Sequence, residues 1–175
     1  MYTNRYKQIR HARVMVRRRH DLKDDVFCTQ IESVKKQLYY IALSYTKDEI
    51  AAVDMVDEAV YQAYINKNKL RNEEYFKTWI TRILINLCKK RYMKIKQFES
   101  FDELSDTDSY SIDIDSIELK NAIDSLPVKL RDVIVMRWLM DYTLEETARV
   151  LGKPKTTIHS QEKKALQILR IRLED

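Results

Sequence analysis

One glycine, two prolines, two cysteines and three histidines in 175 residues are what this chain most lacks. Tight β-hairpins draw on glycine and Asn-Gly pairs, so their scarcity beside abundant Leu, Ile, Lys, Glu and Ala points to an all-helical protein. Cys28 and Cys88 stand far apart, with no CxxC spacing and no histidine nearby. Neither a zinc site nor a disulfide framework is indicated, and the pattern predicts reduced, buried thiols in a cytoplasmic protein. No apolar run approaches the roughly 20 residues of a membrane span. The basic start, MYTNRYKQIRHARVMVRRRH, lacks the apolar core of a signal peptide. Histidines occur only at 11, 20 and 159, and there is no Gly-rich phosphate loop or paired-carboxylate motif. No catalytic residue, metal, cofactor or small-molecule substrate is therefore assigned.

What is present is charge in blocks. The net charge of +5 resolves into +5 for residues 1–25, −3 for 26–66, +8 for 67–96, −8 for 97–118 and +3 for 119–175. Such alternation suggests separate polyanion-binding surfaces joined by an acidic connector. Residues 1–25 read as a basic extension with no folded role: either a disordered DNA-binding arm or sequence upstream of a start at Met15. Residues 97–118 hold eight acids and no Lys or Arg. They self-repel and read as a flexible linker. Two small helical domains are left, 26–96 and 119–175.

In the first domain, Val26, Ile31, Val34, Leu38, Ile41, Ala42 and Tyr45 give 26–46 an apolar side. A second helix runs from about 47–50 to 65, with Met55, Val56, Ala59, Val60, Ala63 and Tyr64 as its stripe. Its other face carries Asp54, Asp57, Glu58 and Tyr61, which by periodicity alone is as well read as a solvated face. Residues 66–74, NKNKLRNEE, read as a loop. From Tyr75 to about Lys94, Phe76, Trp79, Ile80, Ile83, Leu84 and Leu87 line one side of a strong amphipathic helix. Arg82, Asn86, Lys89, Lys90 and Lys94 crowd the other side and the C-terminal end. That is more cation than the helix dipole needs.

In the second domain, segments 119–126 and 129–140 precede DYTLEETARVLGKPKTTIHSQEKKALQILRIR (141–172), which has the residues of two helices joined by a tight turn. Ala148 allows close approach, Gly152 falls where the turn needs a positive φ, and Ile158 buries an apolar side chain six residues later. In the second of these helices Ile158, Ala165, Ile168 and Leu169 point inward. Thr156, His159, Ser160, Lys163 and Gln167 recur on the opposite side, a row suited to base edges and phosphates in a major groove. The pattern is a helix-turn-helix, and DNA is the expected ligand.

The order of these parts resembles the extracytoplasmic-function sigma factors of bacteria, the smallest members of the sigma-70 family. AAVDMVDEAVYQAY (51–64) looks like the region 2 helix that docks on the clamp helices of the largest RNA polymerase subunit. FKTWITRILINLCKKR (76–91) looks like the segment that melts and reads the −10 element. IDSLPVKLRDVIVMRWLMDYTLEETARVLGKPKTTIHSQEKKAL (123–166) resembles region 4, which reads the −35 element. The resemblance spans roughly residues 26–173.

It implies that Asp54, Asp57 and Glu58 pair with the clamp helices. Lys67, Lys69, Leu70, Arg71 and Asn72 would lie in the loop that captures an unstacked −10 base. Asn86 would contact the non-template strand, with Arg82, Lys89 and Lys90 on the same basic helix, and Trp79 would support the core beneath. Lys155, Thr156, Thr157, His159, Ser160, Lys163 and Lys164 would form the −35 surface, where lysines hold phosphates and Thr156, His159 and Ser160 read edges. The implied partners are core polymerase, including the flap of its second-largest subunit, promoter DNA, and an anti-sigma factor, commonly membrane-anchored, that would hold a cytoplasmic protein at the membrane. Two other readings of the same residues stay open: a free-standing helix-turn-helix regulator and a non-catalytic helical adaptor.

Overall fold

The computed structural model describes residues 22–98 and 117–174, and among these all regular structure is helical. The expected linker, apart from its ends, and the basic extension up to residue 21 lie outside the described residues. Leu22 is buried in the core and the first helix starts at Asp24, so the folded part begins a few residues earlier than the pattern of residues 26–46 predicted.

The N-terminal half is three helices: α1 (Asp24–Thr46), α2 (Glu49–Ile65) and α3 (Phe76–Phe98). α1 ends because Lys47 turns into the left-handed region (φ 57°), with its N–H donating to the Leu43 carbonyl at 3.0 Å. Asp48 then caps α2 by accepting from the Ala51 N–H. Ala52, Ala59 and Ala63 are fully buried, and their small side chains let α2 lie close to its neighbours. Phe27 closes the bundle, meeting Tyr64 and Phe76 edge-on with ring centroids 5.4 and 5.5 Å away. The predicted loop between α2 and α3 carries two short 3-10 turns, Lys67–Lys69 and Glu73–Tyr75.

The C-terminal half contains α4 (Ile117–Asp124), α5 (Val128–Ile134), a π-helical segment (Val135–Leu139), α6 (Leu144–Leu151) and α7 (Lys155–Glu174). The single helix expected over 129–140 is therefore α5 followed by a widened turn. Successive α-helical residues point about 100° apart. Here, however, the adjacent residues Arg137 and Trp138 donate to one oxygen, Glu162 Oε1, each at 3.1 Å.

α6 opens with a capping box, Thr143 and Glu146 each accepting from the other's backbone N–H. It closes at Gly152, whose φ of +64° is the positive angle the turn was expected to need. Ile158, Val133 and Ala148 pack together beneath the turn with Leu144 and Leu151.

The two halves are not held by the linker alone. Buried residues from Leu22 to Leu169 form one continuous core cluster, with α3 against α6 and α1 against the π segment. Polar contacts also cross the seam. Thr81 on α3 shares a 2.7 Å hydrogen bond with the hydroxyl of Tyr142, which is fully buried. Asp132 on α5, also buried, accepts from the Tyr45 hydroxyl and from Lys89 Nζ at 2.9 Å. Lys47 pairs with Asp124, and Gln37 Nε2 donates to the Met140 carbonyl at 3.3 Å. Cys88 is buried, and its burial pushes the thiol up to about 12, so it stays neutral. Cys28 corrects the expectation of two buried thiols, because it is exposed on α1.

Candidate nucleic-acid interface

Three exposed surfaces carry the residues singled out in the sequence. The first is on α2, where Asp54 and Glu58 are exposed and Asp57 is half-buried. Glu58 Oε1 accepts from Gln62 Nε2 at 2.9 Å, so its carboxylate is held in place yet still faces outward. To Tyr61, placed on this face from the sequence, the structure adds two apolar neighbours that the sequence reading missed, Ile50 and Ile65. Ile50, Tyr61 and Ile65 are 77%, 50% and 54% exposed and fall at helical spacing with Asp54 and Glu58. The result is one ridge in which the acidic groups lie between Ile50 at one end and Tyr61 and Ile65 at the other. Exposed Ile50 and Ile65 are hard to account for as solvated surface and suit a partner surface of matching shape and positive charge.

The second surface joins the α2–α3 loop to α3. Lys69, Arg71 and Asn72 are exposed. Asn72 also caps the turn that follows, its Oδ1 accepting from the Glu74 N–H at 3.0 Å. Leu70 is buried, so it anchors the loop to the core and is not available to a base in this arrangement. Lys67 is similarly occupied: it pairs with Asp24 at 2.5 Å and lies 5.0 Å from the Tyr64 ring centre.

On α3, Arg82, Asn86 and Lys90 are exposed at spacings of four, making one row along the helix. Lys89 lies beside that row but is turned into the seam by Asp132. A Cβ added to Gly152 would sit 3.6 Å from Arg82 Nη2, so the row runs directly past the turn of the helix-turn-helix. Trp79 is half-buried, 6.1 Å from the Phe76 ring, in the supporting position expected for it. Sequence periodicity had assigned α3 a single apolar side. Thr78, Thr81, Ile85 and Cys88 form a second buried edge, at spacings of three, four and three. Two threonines and a cysteine among lysines disguised it.

The third surface is the outer face of α7. Lys155, Thr156, His159, Ser160, Lys163 and Lys164 are exposed and Thr157 is half-buried, while Ile158, Ala165 and Leu169 are buried and Ile168 is half-buried, as the spacing predicted. Ser160 Oγ donates to the Thr157 carbonyl at 3.0 Å, leaving its lone pairs to accept. Lys155 Nζ lies 2.8 Å from Glu145 Oε2, and this ammonium holds the Glu145 carboxyl below its ordinary range.

What fixes the pose of α7 is Glu162, which is buried and carries both Arg137 and Trp138. Arg137 Nη1 also donates to the Tyr142 carbonyl at 2.6 Å. Trp138 is 58% exposed, and its indole N–H reaches inward to Glu162. Glu162 was legible in one respect, since it lies four residues after Ile158 and three before Ala165, on the inward register. Among the described residues no group of three or more His, Cys, Asp or Glu side chains could hold a metal ion, and no helix is long and apolar enough to cross a membrane.

Comparison with known proteins agrees with this layout. The Sigma-70 region 2 family matches residues 30–98 and the Sigma-70, region 4 family matches residues 122–170. The chain is 30% identical over 152 residues to the RNA polymerase sigma factor SigV of Bacillus subtilis, covering 83% of this chain and 89% of that protein. It is 27% identical over 169 residues to the ECF RNA polymerase sigma factor SigW of the same organism, covering 86% and 90%.

Among solved structures, the fold is similar to the sigma factor RpoE in complex with the anti-sigma factor NepR from Bartonella quintana. That match has a TM-score of 0.74, 21% identity and coverage of 85% of this chain and 96% of that one. CnrH in complex with the cytosolic domain of CnrY matches with a TM-score of 0.68, 18% identity and coverage of 87% and 90%. With a region 2 bundle, a region 4 helix-turn-helix and relatives matched along nearly their whole length, the chain belongs to the extracytoplasmic-function sigma factors of the sigma-70 family.

Proposed function

We infer that this sigma factor acts as a non-catalytic promoter-specificity subunit whose three exposed surfaces divide the work of initiation. The ridge of Asp54, Asp57 and Glu58, with Ile50, Tyr61 and Ile65, binds the clamp helices of core RNA polymerase. The loop residues Lys69, Arg71 and Asn72 and the row Arg82, Asn86 and Lys90 hold the opened −10 strand. Lys67 and Lys89 join them once Asp24 and Asp132 release their ammonium groups. On α7, Thr156, His159 and Ser160 read −35 base edges, while Lys155, Lys163 and Lys164 hold phosphates, with Thr157 at the margin.

The observation that carries this reading is the succession, on one chain, of an acidic-apolar ridge, a basic helix and a recognition helix, all facing solvent. The flap of the second-largest subunit is the expected contact of the C-terminal half. The protein works in the cytoplasm. An anti-sigma factor, membrane-anchored in this reading, holds it inactive; support comes from two solved relatives that are complexes with an anti-sigma factor or with the cytosolic domain of a partner.

The test is run-off transcription with purified core polymerase on a fragmented genomic library, with and without the protein. New discrete start sites that depend on it are expected, and their upstream sequences define the −35 and −10 elements. Failure to bind active core would overturn the reading. Tight binding to duplex DNA without polymerase would then indicate a free-standing regulator, and binding to neither a helical adaptor.

A further inference from the structure

The acidic ridge on α2 has a chemical counterpart within the same chain. α2 carries four acids and no Lys or Arg. Residues 1–21 carry seven Lys and Arg against one acid, Asp21. They end in RVMVRRRHD (13–21), in which the apolar triplet Val14 to Val16 has arginine on both sides. On the ridge, Ile50 is 77% and Ile65 54% exposed. Apolar side chains this open, beside a row of acids, call for a basic and apolar cover before any outside partner arrives.

The basic segment joins the fold at one end of this ridge. Leu22 is buried in the core, and Asp24 at the start of α1 pairs with Lys67 just past the end of α2. Phe27 meets the Tyr64 ring close by. Lengths then match along the helix. At 1.5 Å per residue, Glu58, Asp54 and Ile50 lie about 10, 16 and 22 Å from Ile65. A chain extended at about 3.3 Å per residue from Leu22 reaches those distances at Arg19, Arg17 and Met15. The adjoining α2–α3 loop exposes Lys69 and Arg71, which repel the segment, and the ridge of a second copy repels this one.

We propose that residues 13–21 fold back along the α2 ridge in the free protein, with Arg17 and Arg19 against Asp54 and Glu58 and the Val14–Val16 triplet over Ile50, so that core polymerase must displace them. The competition with polymerase rests on the role inferred above for the ridge; the docking itself does not. A short tether holds the segment at an effective concentration on the order of 1 mM. A contact with a Kd of about 0.1 mM then leaves roughly one molecule in ten open, which weakens polymerase binding about tenfold.

The experiment uses the full chain with Met15 replaced by a benzophenone amino acid. After photolysis of the free protein, peptide mass spectrometry is expected to find cross-links within single chains to residues 50–65. They should fade in about 1 M salt, where the Debye length is about 3 Å. Arg17→Glu with Arg19→Glu is expected to abolish them and, at low salt, to strengthen binding to purified core polymerase about tenfold. Adding Asp54→Lys and Glu58→Lys to that variant should restore the cross-links, since the charges are then exchanged, while polymerase binding stays lost.

Cross-links elsewhere, only between chains, or unchanged by the paired Arg17→Glu and Arg19→Glu substitutions would overturn the docking. Cross-links to α2 that the substitutions abolish without any gain in polymerase affinity would leave the docking and remove the ridge from the polymerase interface. If the substitutions weaken promoter binding and change neither the cross-links nor core affinity, the segment is a DNA-contacting arm and the proposal falls.

Discussion

Glu162 is a single acid within the basic run of the recognition helix, and the structure buries it where a sequence pattern would place a solvent-facing charge. Its carboxylate accepts from two side chains, one of them a guanidinium. Truncating it therefore leaves two part-buried donors without this acceptor. Glu162→Ala is expected to lower the unfolding free energy by about 1–3 kcal/mol, read as a lower urea midpoint with unchanged slope; an unshifted midpoint would mean that water replaces the carboxylate at no cost. On the opposite face the expected effects are of another kind. His159→Ala should change the preferred −35 sequence, whereas Lys163→Ala should weaken all sequences alike and reduce the salt slope by about one. Promoter profiling and salt titration separate the two. The outward row was readable from spacing because each member of it is polar. Glu162 was given no place in the sequence reading, because its register says inward while its charge says outward, and the position of Arg137 and Trp138 resolves the conflict.

The helix-turn-helix is defined at its ends. Gly152 holds φ at +64°, and the nearest atom to an added Cβ is Arg82 Nη2 at 3.6 Å, an ordinary contact. The cost of Gly152→Ala is therefore backbone strain, about 1–2 kcal/mol, and a lower melting temperature is the expected readout. A melting curve matching wild type would place the turn's stability elsewhere.

At the other end of α6, burial pushes the Glu146 carboxyl up, but hydrogen bonds from the Thr143 backbone and side chain, with Lys77 and Arg149 nearby, outweigh it and hold the group below its ordinary 4.5. A carboxylate lowered in the folded state contributes stability above its unfolded pKa, and that contribution is lost as pH falls through the lowered value. Acid titration followed by circular dichroism should show a loss of helix stability below about pH 4.5 that is smaller in Glu146→Gln. The Gly152 end was read from the lone glycine, whereas the T-x-x-E of the other end stands in the sequence and was recognised as a cap only in the structure. The π segment was not legible, since nothing in VMRWL departs from a helical pattern. Its widened turn is tied to a distant partner, Glu162.

For the whole molecule, the seam decides which surfaces are free. Lys89 cannot hold a phosphate while it holds Asp132, and Arg82 lies beside the turn at Gly152. In the proposed function, Lys89 therefore joins the row of Arg82, Asn86 and Lys90 only when its contact with Asp132 is released. The Tyr45 hydroxyl, raised well above its ordinary value by burial and then by Asp132, stays protonated and donates to that carboxylate. Asp132→Ala leaves both donors facing a gap and is expected to enlarge the radius of gyration in small-angle scattering while helix content is kept. An unchanged profile would show that the apolar contacts alone hold the seam. Reversing Asp54 and Glu58 to lysine should abolish binding to core polymerase in a pull-down without altering the scattering, because neither residue touches the seam; retained binding would remove the ridge from the polymerase interface.

The all-helical class, the order of the helices, the turn at Gly152 and the outward faces of α2 and α7 were all determined by the sequence itself. Each rests on local physics: periodicity, capping, and the unusual φ that only one residue type accepts freely. Tertiary structure alone decided the occupation of Lys67 and Lys89, the burial of Leu70, Asp132, Tyr142 and Glu162, and the exposure of Ile50, Tyr75 and Trp138. Those outcomes depend on contacts between residues up to about ninety positions apart, such as Tyr45 with Asp132. The polar members of the seam fall outside the periodic apolar stripes, so they look like solvated surface until the two halves meet.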